Sequence, residues 1–224
     1  MTSRPRAHVG PRVLSAAEQA ERAARPTRER ILDAALVSFA TTGFEATSLD
    51  QLASELGVRK QTILYHFTSK PALLDAVIDQ AAVELAAYLE DALERAGSGF
   101  DRIEALVRSV FRLALRRPEL LGLLRESARL GPPAASRLIE NLDPLVQRAR
   151  AFLEAEMEMG HFRKSDARLL LFSLYSTVVG VATEVEVLRA VGIEPTLRST
   201  AIRRRELLQF LHRALVEDDA PPGV

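Results

Sequence analysis

Cysteine and tryptophan are both absent from this sequence of 224 residues, and aromatic residues make up only 5% of it. Without cysteine the chain has no disulfide framework, no thiolate metal site and no thiol nucleophile. Apolar residues nevertheless make up 47%. The bulk of them are Ala, Leu and Val, which favours packed helices over an aromatic-rich β-sandwich. The composition therefore predicts an all-α protein, and the lack of cysteine fits a location in the cytoplasm.

A hydrophobic run long enough to cross a membrane is also lacking. The longest apolar stretch, residues 169–181, is interrupted by Ser173, Ser176, Thr177 and Gly180. It falls short of the roughly 20 residues that a membrane span needs. The first residues are rich in Arg and lack the apolar segment of a secretory signal. We therefore expect no membrane association.

The net charge is zero, with 30 basic and 30 acidic residues, so overall charge does not indicate a nucleic-acid partner. Catalytic signatures are lacking as well, because the sequence contains no HEXXH motif, no GXSXG motif and no glycine-rich phosphate loop. Glu154, Glu156 and Glu158 are spaced by two and would point in different directions on a helix. We predict no catalytic residue, no metal site and no cofactor, and the chain is not expected to be an enzyme.

The distribution of proline, glycine and apolar residues predicts four segments. Residues 1–26 are polar and proline-containing and form a flexible arm, 27–75 form a first helical domain, 76–217 a larger one, and 218–224 a disordered tail. About nine helices are expected, three of them before residue 68. The Arg residues of the arm are consistent with an inert extension or with a segment that follows a minor groove.

Two short helical patterns lie unusually close together within "SLDQLASELGVRKQTILYHFTSK", residues 48–70. Ser48 and Gln51 have the spacing of a capping box at the start of the first pattern. Ala53 is small where a second helix must cross, Gly57 suits a turn with positive φ, and Ile63 can point back into the crossing. This spacing predicts a helix-turn-helix.

The second short helix has an outer face made of donors. Arg59, Lys60, Gln61, Thr62 and Tyr65 are free of the apolar face, and no acidic residue occurs from 59 to 70. Such a surface suits phosphate oxygens and the edges of bases in the major groove. A helix-turn-helix also serves in modules that bind proteins, so the alternative of a helical interaction module stays open.

Residues 27–78 resemble the DNA-binding domain of the TetR family of bacterial transcriptional regulators. The matching features are Gly43-Phe44, Thr47-Ser48, Ala53, Gly57-Val58, Thr62, "YHF" at 65–67 and "SK" at 69–70. The resemblance implies a homodimer with one such domain per subunit. It also implies a divergent helical C-terminal domain that dimerises and binds an effector.

Carried over position by position, the resemblance implies two kinds of DNA contact. Phosphate would be contacted by Thr47, Ser48, Tyr65, His66 and Lys70, and bases would be contacted by Lys60, Gln61 and Thr62, with Arg59 as a cation near the groove. His66 fits equally a half-buried structural residue beside Phe67. The sequence departs from the family twice, since Leu64 stands where many members have Tyr and Arg59 stands where a small capping residue is common.

Two stretches near the C-terminus, at about 166–190 and 196–216, are expected to form the dimer interface as a four-helix contact. Their apolar stripes are Leu170, Leu174, Val178, Val181, Val185 and Leu188 in the first, and Leu197, Ile202, Leu207, Leu208, Leu211 and Leu215 in the second. The alternative is that both helices belong to the core of one subunit.

For the effector, a small and apolar molecule is expected, and Arg125, His161, Tyr175 and Glu184 are the polar candidates to line its site. Residues of these types are more often surface residues or internally bonded core groups than ligand-binding residues. The sequence thus predicts a DNA-binding transcriptional regulator, a repressor released from its operator by a small molecule. A helical interaction module or a ligand-independent DNA-binding protein is the alternative.

Overall fold

The computed structural model describes residues 25–216, and within that range it contains ten α-helices and no β-strand. In chain order the helices are α1 Thr27–Thr41, α2 Leu49–Leu56, α3 Lys60–His66, α4 Lys70–Glu94, α5 Phe100–Arg116, α6 Pro118–Leu130, α7 Ala134–Glu158, α8 Ala167–Thr183, α9 Val185–Ala190 and α10 Leu197–Leu215. The predicted all-α class is confirmed, including three helices before residue 68. The predicted tail and all but the last two residues of the predicted arm lie outside the described residues.

The described part has one helix more than the nine predicted, because the stretch 166–190 forms two helices. Glu184 interrupts it with a non-helical backbone, φ −80° and ψ 72°. β-Branched residues Val181, Thr183 and Val185 surround the break, and such residues have a reduced helix propensity. The same stretch therefore changes direction near its end.

The local signals around the two short helices act largely as the sequence predicts. The Ser48 hydroxyl accepts a hydrogen bond from the Gln51 N–H at 3.0 Å, and Gly57 ends α2 in the left-handed conformation with φ 66°. Ser69 caps α4 by accepting from the Ala72 N–H at 3.1 Å.

The predicted capping box at Ser48 is only half formed. The Gln51 side chain donates to Glu55 Oε1 at 2.9 Å, one helical turn further on, and the structure gives it no bond back to the Ser48 N–H. The pair of Gln51 with Glu55, at i, i+4 on the helix surface, competes with the capping box for the Gln51 side-chain amide. A complete capping box occurs instead at Thr196 and Ser199, where α10 begins.

The described residues form two hydrophobic cores. The first joins α1–α4 to the end of α5, α6 and α7, so the short helices rest on the larger helical domain rather than standing alone. The second is built from α5, α7, α8 and α10. Helix α4 runs without a break across the predicted domain boundary at residues 75 and 76.

Many residues of the predicted dimer stripes contribute to the interior of the described subunit. Val178, Leu188, Leu207, Leu211 and Leu215 are buried in the described subunit, four of them in the second core, while Leu170, Leu174, Val181 and Leu208 pack against that core. The reason is that both helices are apolar on more than one side, and periodicity does not identify the inward side. The outer faces carry Leu169, Phe172, Tyr175 and Phe210, which the predicted stripes omit, together with Leu197 and Ile202, which they include.

None of the helices between residues 25 and 216 combines the length and the apolar character required to cross a membrane.

Candidate nucleic-acid interface

The crossing of α2 and α3 is closed by the small and branched residues that the spacing predicts. Ile63 is fully buried and Ala53 is 4% exposed, and both belong to the first core. Helix α3 is only seven residues long and Arg59 gives it no side-chain cap. An isolated helix of this length is unstable in water, so packing through Ile63 holds it in place.

The outer face of α3 is exposed as predicted. Arg59, Lys60, Gln61 and Tyr65 are exposed, and the Tyr65 side chain is 86% exposed, while Thr62 is half-buried. A tyrosine with this degree of exposure contributes little to the stability of the fold, since its ring remains in water. The arrangement leaves a row of donors available to a partner on this side of the molecule.

Thr47 does not offer its hydroxyl to a partner, contrary to the sequence prediction. It is 2% exposed, and its Oγ1 donates to the Gly43 carbonyl at 2.8 Å. A hydroxyl bonded four residues back closes the turn before α2 and points inward. Ser48 is exposed, although its hydroxyl already accepts the capping bond described above.

Lys60 has an acidic neighbour that sequence analysis missed. Its Nζ lies 2.8 Å from Asp50 Oδ2, and both side chains remain largely exposed. Asp50 lies on α2, ten residues before Lys60, the same separation as Ala53 and Ile63. The crossing that buries one pair therefore brings the other together on the surface, where such ion pairs are weak.

Lys70 is held by the loop between α1 and α2. Its Nζ lies 4.4 Å from the centre of the Phe44 ring and donates to the Glu45 carbonyl at 3.2 Å. His66 is half-buried between the rings of Tyr65 and Phe67, at 5.2 and 6.4 Å between centroids. Its position is compatible with both roles considered from the sequence.

A buried carboxylate connects this loop to the larger domain, and sequence analysis missed it. Glu126 of α6 is 9% exposed, and its Oε1 accepts a hydrogen bond from the Phe44 N–H at 2.7 Å. Arg129 donates to both of its oxygens, at 2.7 and 2.8 Å. Hydrogen bonds from Arg129, and further from Phe44, hold the pKa of Glu126 below its ordinary value. The i, i+3 spacing to Arg129 is visible in the sequence, whereas the contact with Phe44 is not.

Of the four predicted effector-binding residues, the structure pairs only Arg125 with Glu184. Arg125 Nη1 donates to Thr183 Oγ1 at 2.9 Å and lies 3.3 Å from Glu184 Oε1. His161 Nδ1 lies 2.8 Å from Glu156 Oε2, at one end of the second core, and Tyr175 is 48% exposed on α8. Each of the four thus has a surface or structural location, and their binding of an effector stays a prediction.

Two open clefts are present instead. The larger, about 580 Å³, lies between α5 and α10 and is lined by Phe100, Glu104, Arg108, Ala201, Ile202, Arg204, Arg205, Leu208, Gln209 and His212. The smaller, about 430 Å³, lies between α6 and the end of α1, and Arg125, Glu126 and Arg129 border it. His161, Tyr175 and Glu184 line neither cleft. No group of His, Asp or Glu suited to hold a metal occurs between residues 25 and 216.

The braced pair of short helices and the exposed donor face of α3 define a helix-turn-helix DNA-binding regulator. Two family models match the chain: "Bacterial regulatory proteins, tetR family" over residues 31–77, and "Tetracyclin repressor-like, C-terminal domain" over residues 96–183. Together they cover more than half of its length. The chain belongs to the TetR family of bacterial transcriptional regulators.

Similar proteins agree with this assignment. The HTH-type transcriptional regulator RutR of Escherichia coli K12 is 29% identical over 161 residues, which is 70% of this chain and 74% of RutR. Among solved structures, a transcriptional regulator from Saccharomonospora viridis in complex with choline has a TM-score of 0.70 and 22% identity, covering 85% of this chain and 98% of its own. AibR in complex with isovaleryl coenzyme A and operator DNA has a TM-score of 0.69 and 18% identity, covering 82% and 96%.

Proposed function

We propose that this chain is a homodimeric repressor that occupies a DNA operator through α3 and leaves it when a small molecule binds the larger helical domain. The observation that carries the proposal is the exposed row of Lys60, Gln61 and Tyr65 on a helix fixed from behind by Ile63. A regulator of this kind acts in the cytoplasm and performs no catalysis.

In the bound state, Lys60 and Gln61 would face the edges of bases, with Thr62 beside them. Lysine can donate to guanine O6 and N7, and glutamine can pair with adenine. Ser48, Tyr65, His66 and Lys70 would contact phosphate, and Arg59 would add a cation near the groove. The proposed contacts do not include the Thr47 hydroxyl, because it is bonded to the Gly43 carbonyl.

The dimer would form through the outer faces of α8 and α10, where Leu169, Phe172 and Phe210 are 66%, 66% and 60% exposed. Ser173, Ser176 and Gly180 lie on the same side of α8, and nothing lies within 4 Å of a Cβ built at Gly180. Small residues would let a second copy approach closely. Two α3 helices must then lie roughly 34–36 Å apart to enter successive major grooves.

Release by an effector would be a shift between two dimer conformations, only one of which has this spacing. The complexes of the choline-bound regulator and of AibR support a small-molecule effector for this chain as well. The apolar part of such a molecule could rest on Phe100, Ile202 and Leu208 in the larger cleft, which Arg108 and Arg204 border.

The proposal is tested by selecting duplexes from random DNA with the full-length protein and by a gel shift on its own upstream region. A preferred sequence with two related half-sites is expected, and the affinity should fall steeply as salt rises because several phosphates are contacted. If no retarded band appeared at low salt, the proposal of DNA binding would be contradicted, and the alternative of a helical interaction module would remain.

Three substitutions distinguish the proposed roles on the selected duplex. Tyr65→Ala and Lys70→Ala should weaken binding to all sequences about equally, and Lys70→Ala should make the salt dependence shallower by about one unit. Gln61→Ala should instead change which bases are preferred. Tyr88→Ala, Lys164→Ala and Gln209→Ala are matched controls on other helices and loops and should leave binding unchanged. Unchanged binding in all three test variants would contradict the assigned face.

A further inference from the structure

Glu126 reaches from the larger domain to the loop that precedes the helix-turn-helix. Its Oε1 accepts from the Phe44 N–H at 2.7 Å across 82 residues of sequence. Gly43 makes room for it, since a Cβ built there would lie 3.4 Å from the same oxygen, and its φ of 95° suits glycine. The carboxylate thus contacts a turn whose shape it can fix.

The same turn holds the proposed phosphate contact Lys70. The Phe44 ring packs edge-on against the fully buried Phe39, with 5.4 Å between centroids, and its face lies 4.4 Å from Lys70 Nζ. The Glu45 carbonyl accepts from Lys70 Nζ at 3.2 Å. Phe44 therefore donates its backbone N–H to Glu126 of α6 and holds the lysine with its ring.

We propose that Glu126 is a positioning residue for DNA binding: by holding the Phe44 amide, it fixes the ring and the carbonyl that direct the Lys70 ammonium toward a phosphate. This inference rests on the proposed DNA-binding function. It assigns to a helix of the larger domain a direct part in arranging the DNA-binding surface.

Two contacts of Glu126 differ in importance for this role. Arg129 lies at the surface and joins the carboxylate from its outer side, so it can turn into solvent without disturbing the loop. Among the described residues, Glu126 is the acceptor that the structure gives to the Phe44 N–H, and a backbone donor that loses its acceptor favours another loop conformation. The bond to Phe44, rather than the ion pair, carries the positioning.

The test measures DNA affinity against salt concentration for the full-length protein on the duplex that it selects. Glu126→Ala removes the acceptor and should make the salt dependence shallower by about one unit, as expected for one lost phosphate contact. Glu126→Gln keeps a carbonyl oxygen toward Phe44 and should retain the wild-type slope. Arg129→Ala, the matched control, should do so as well.

A double variant separates positioning from a general loss of structure. If Glu126 acts through Lys70, adding Glu126→Ala to Lys70→Ala should change affinity by less than about twofold, since the two effects are not additive. Circular dichroism and thermal unfolding of Glu126→Gln provide a folded reference if Glu126→Ala does not fold.

The outcomes distinguish this inference from the proposed function. Wild-type binding with a normal slope in Glu126→Ala, fully additive losses in the double variant, or a Glu126→Gln slope equal to that of Lys70→Ala would each overturn the positioning role and leave the DNA-binding function intact. Failure of the wild-type protein to bind any selected duplex would overturn both.

Discussion

At the scale of single residues, the exposed side of α3 contains one large apolar side chain among its donors. Leu64 is 36% exposed and follows Lys60 and Gln61 by one helical turn, next to Tyr65. An apolar side chain on such a face has few partners in a groove, and the best is the 5-methyl group of thymine. The sequence shows only that Leu64 stands where many family members have tyrosine, whereas the structure shows that the Leu64 side chain is exposed.

We expect Leu64 to contact a thymine methyl in the operator. Replacing that thymine by uracil, which lacks the methyl, should weaken wild-type binding roughly fourfold, the equivalent of burying one methyl group. The Leu64→Ala variant should lose this sensitivity and bind both duplexes alike. Gel shifts on duplexes with uracil at one position at a time make the measurement, with Val83→Ala, at an exposed position of α4, as the control. Equal sensitivity in Leu64→Ala would contradict the contact.

Individual residues were predictable where the cause is local. The buried Ile63, the positive φ of Gly57 and the cap at Ser48 follow from spacing within 16 residues, and the structure confirms them. The bond from the Thr47 hydroxyl to the Gly43 carbonyl was not predicted, because the family pattern does not reveal this nearby backbone acceptor. Glu126 was missed because its partner lies 82 residues away.

At the scale of helices, a glycine lies where α6 crosses α1. A Cβ built at Gly122 would lie 2.9 Å from Ala40 Cβ and 3.1 Å from the Ala40 carbonyl oxygen. Real Cβ atoms do not approach that closely, so Gly122 sets the spacing between the helix that carries Glu126 and the helix that braces α2 and α3. The sequence shows a glycine inside a helix but not what it faces.

Gly122→Ala should destabilise the protein. Forcing a methyl group into a packed crossing costs about 1–3 kcal/mol, and the better helix propensity of alanine offsets about 1 kcal/mol of that. We therefore expect a net loss of about 1 kcal/mol in the free energy of unfolding, measured by urea denaturation. The double variant Ala40→Gly/Gly122→Ala removes the methyl group that faces the new one. Its loss of stability should therefore be smaller than the sum of the losses in the two single variants. A Gly122→Ala variant more stable than wild type would contradict the tight crossing.

Helices α4 and α7 are joined by an ion pair with a defined pH dependence. Arg137 donates to both oxygens of Asp79, at 2.7 and 2.6 Å. These hydrogen bonds, and further that from Asn141, hold the pKa of Asp79 below its ordinary value. A carboxyl whose pKa is lower in the folded than in the unfolded protein stabilises the folded state at pH values above its unfolded pKa. This contribution is lost as the pH falls through the folded pKa.

Asp79→Asn should therefore reduce the free energy of unfolding at neutral pH and make less difference in acid. The gap between wild type and variant should be largest above about pH 5 and shrink below about pH 4, where the unfolded carboxyl takes up a proton. Urea denaturation between about pH 6 and about pH 3 measures it. Asp143→Asn, at an exposed position of α7 that accepts from Gln147, is the control. A constant gap across that range would contradict the assigned linkage.

At the scale of the whole molecule, the described helices form a DNA-facing end and a larger helical body that share α4 and the first core. The helical class, the two short helices and the approximate location of the C-terminal helices were predictable, because each follows from periodicity and turn residues. The inward sides of α8 and α10 were not, since both helices carry apolar residues on more than one side and the pattern does not tell which side faces the core. Helix α6 connects the two ends physically: Arg125 contacts Thr183 and Glu184 at the end of α8, and Glu126 contacts Phe44.

Phe172→Glu should convert the proposed dimer to a monomer. The Phe172 side chain is 66% exposed in the described subunit, so a charge there is tolerated by the fold but would be desolvated against a second copy. A monomer engages one half-site at a time, and its affinity for a two-half-site duplex should fall by roughly 100-fold or more. Sedimentation velocity and gel shifts measure the two effects. Ile139→Glu places the same charge at an equally exposed position of α7 and should leave both unchanged. A dimeric Phe172→Glu, or a monomer that keeps full affinity, would contradict the interface on α8.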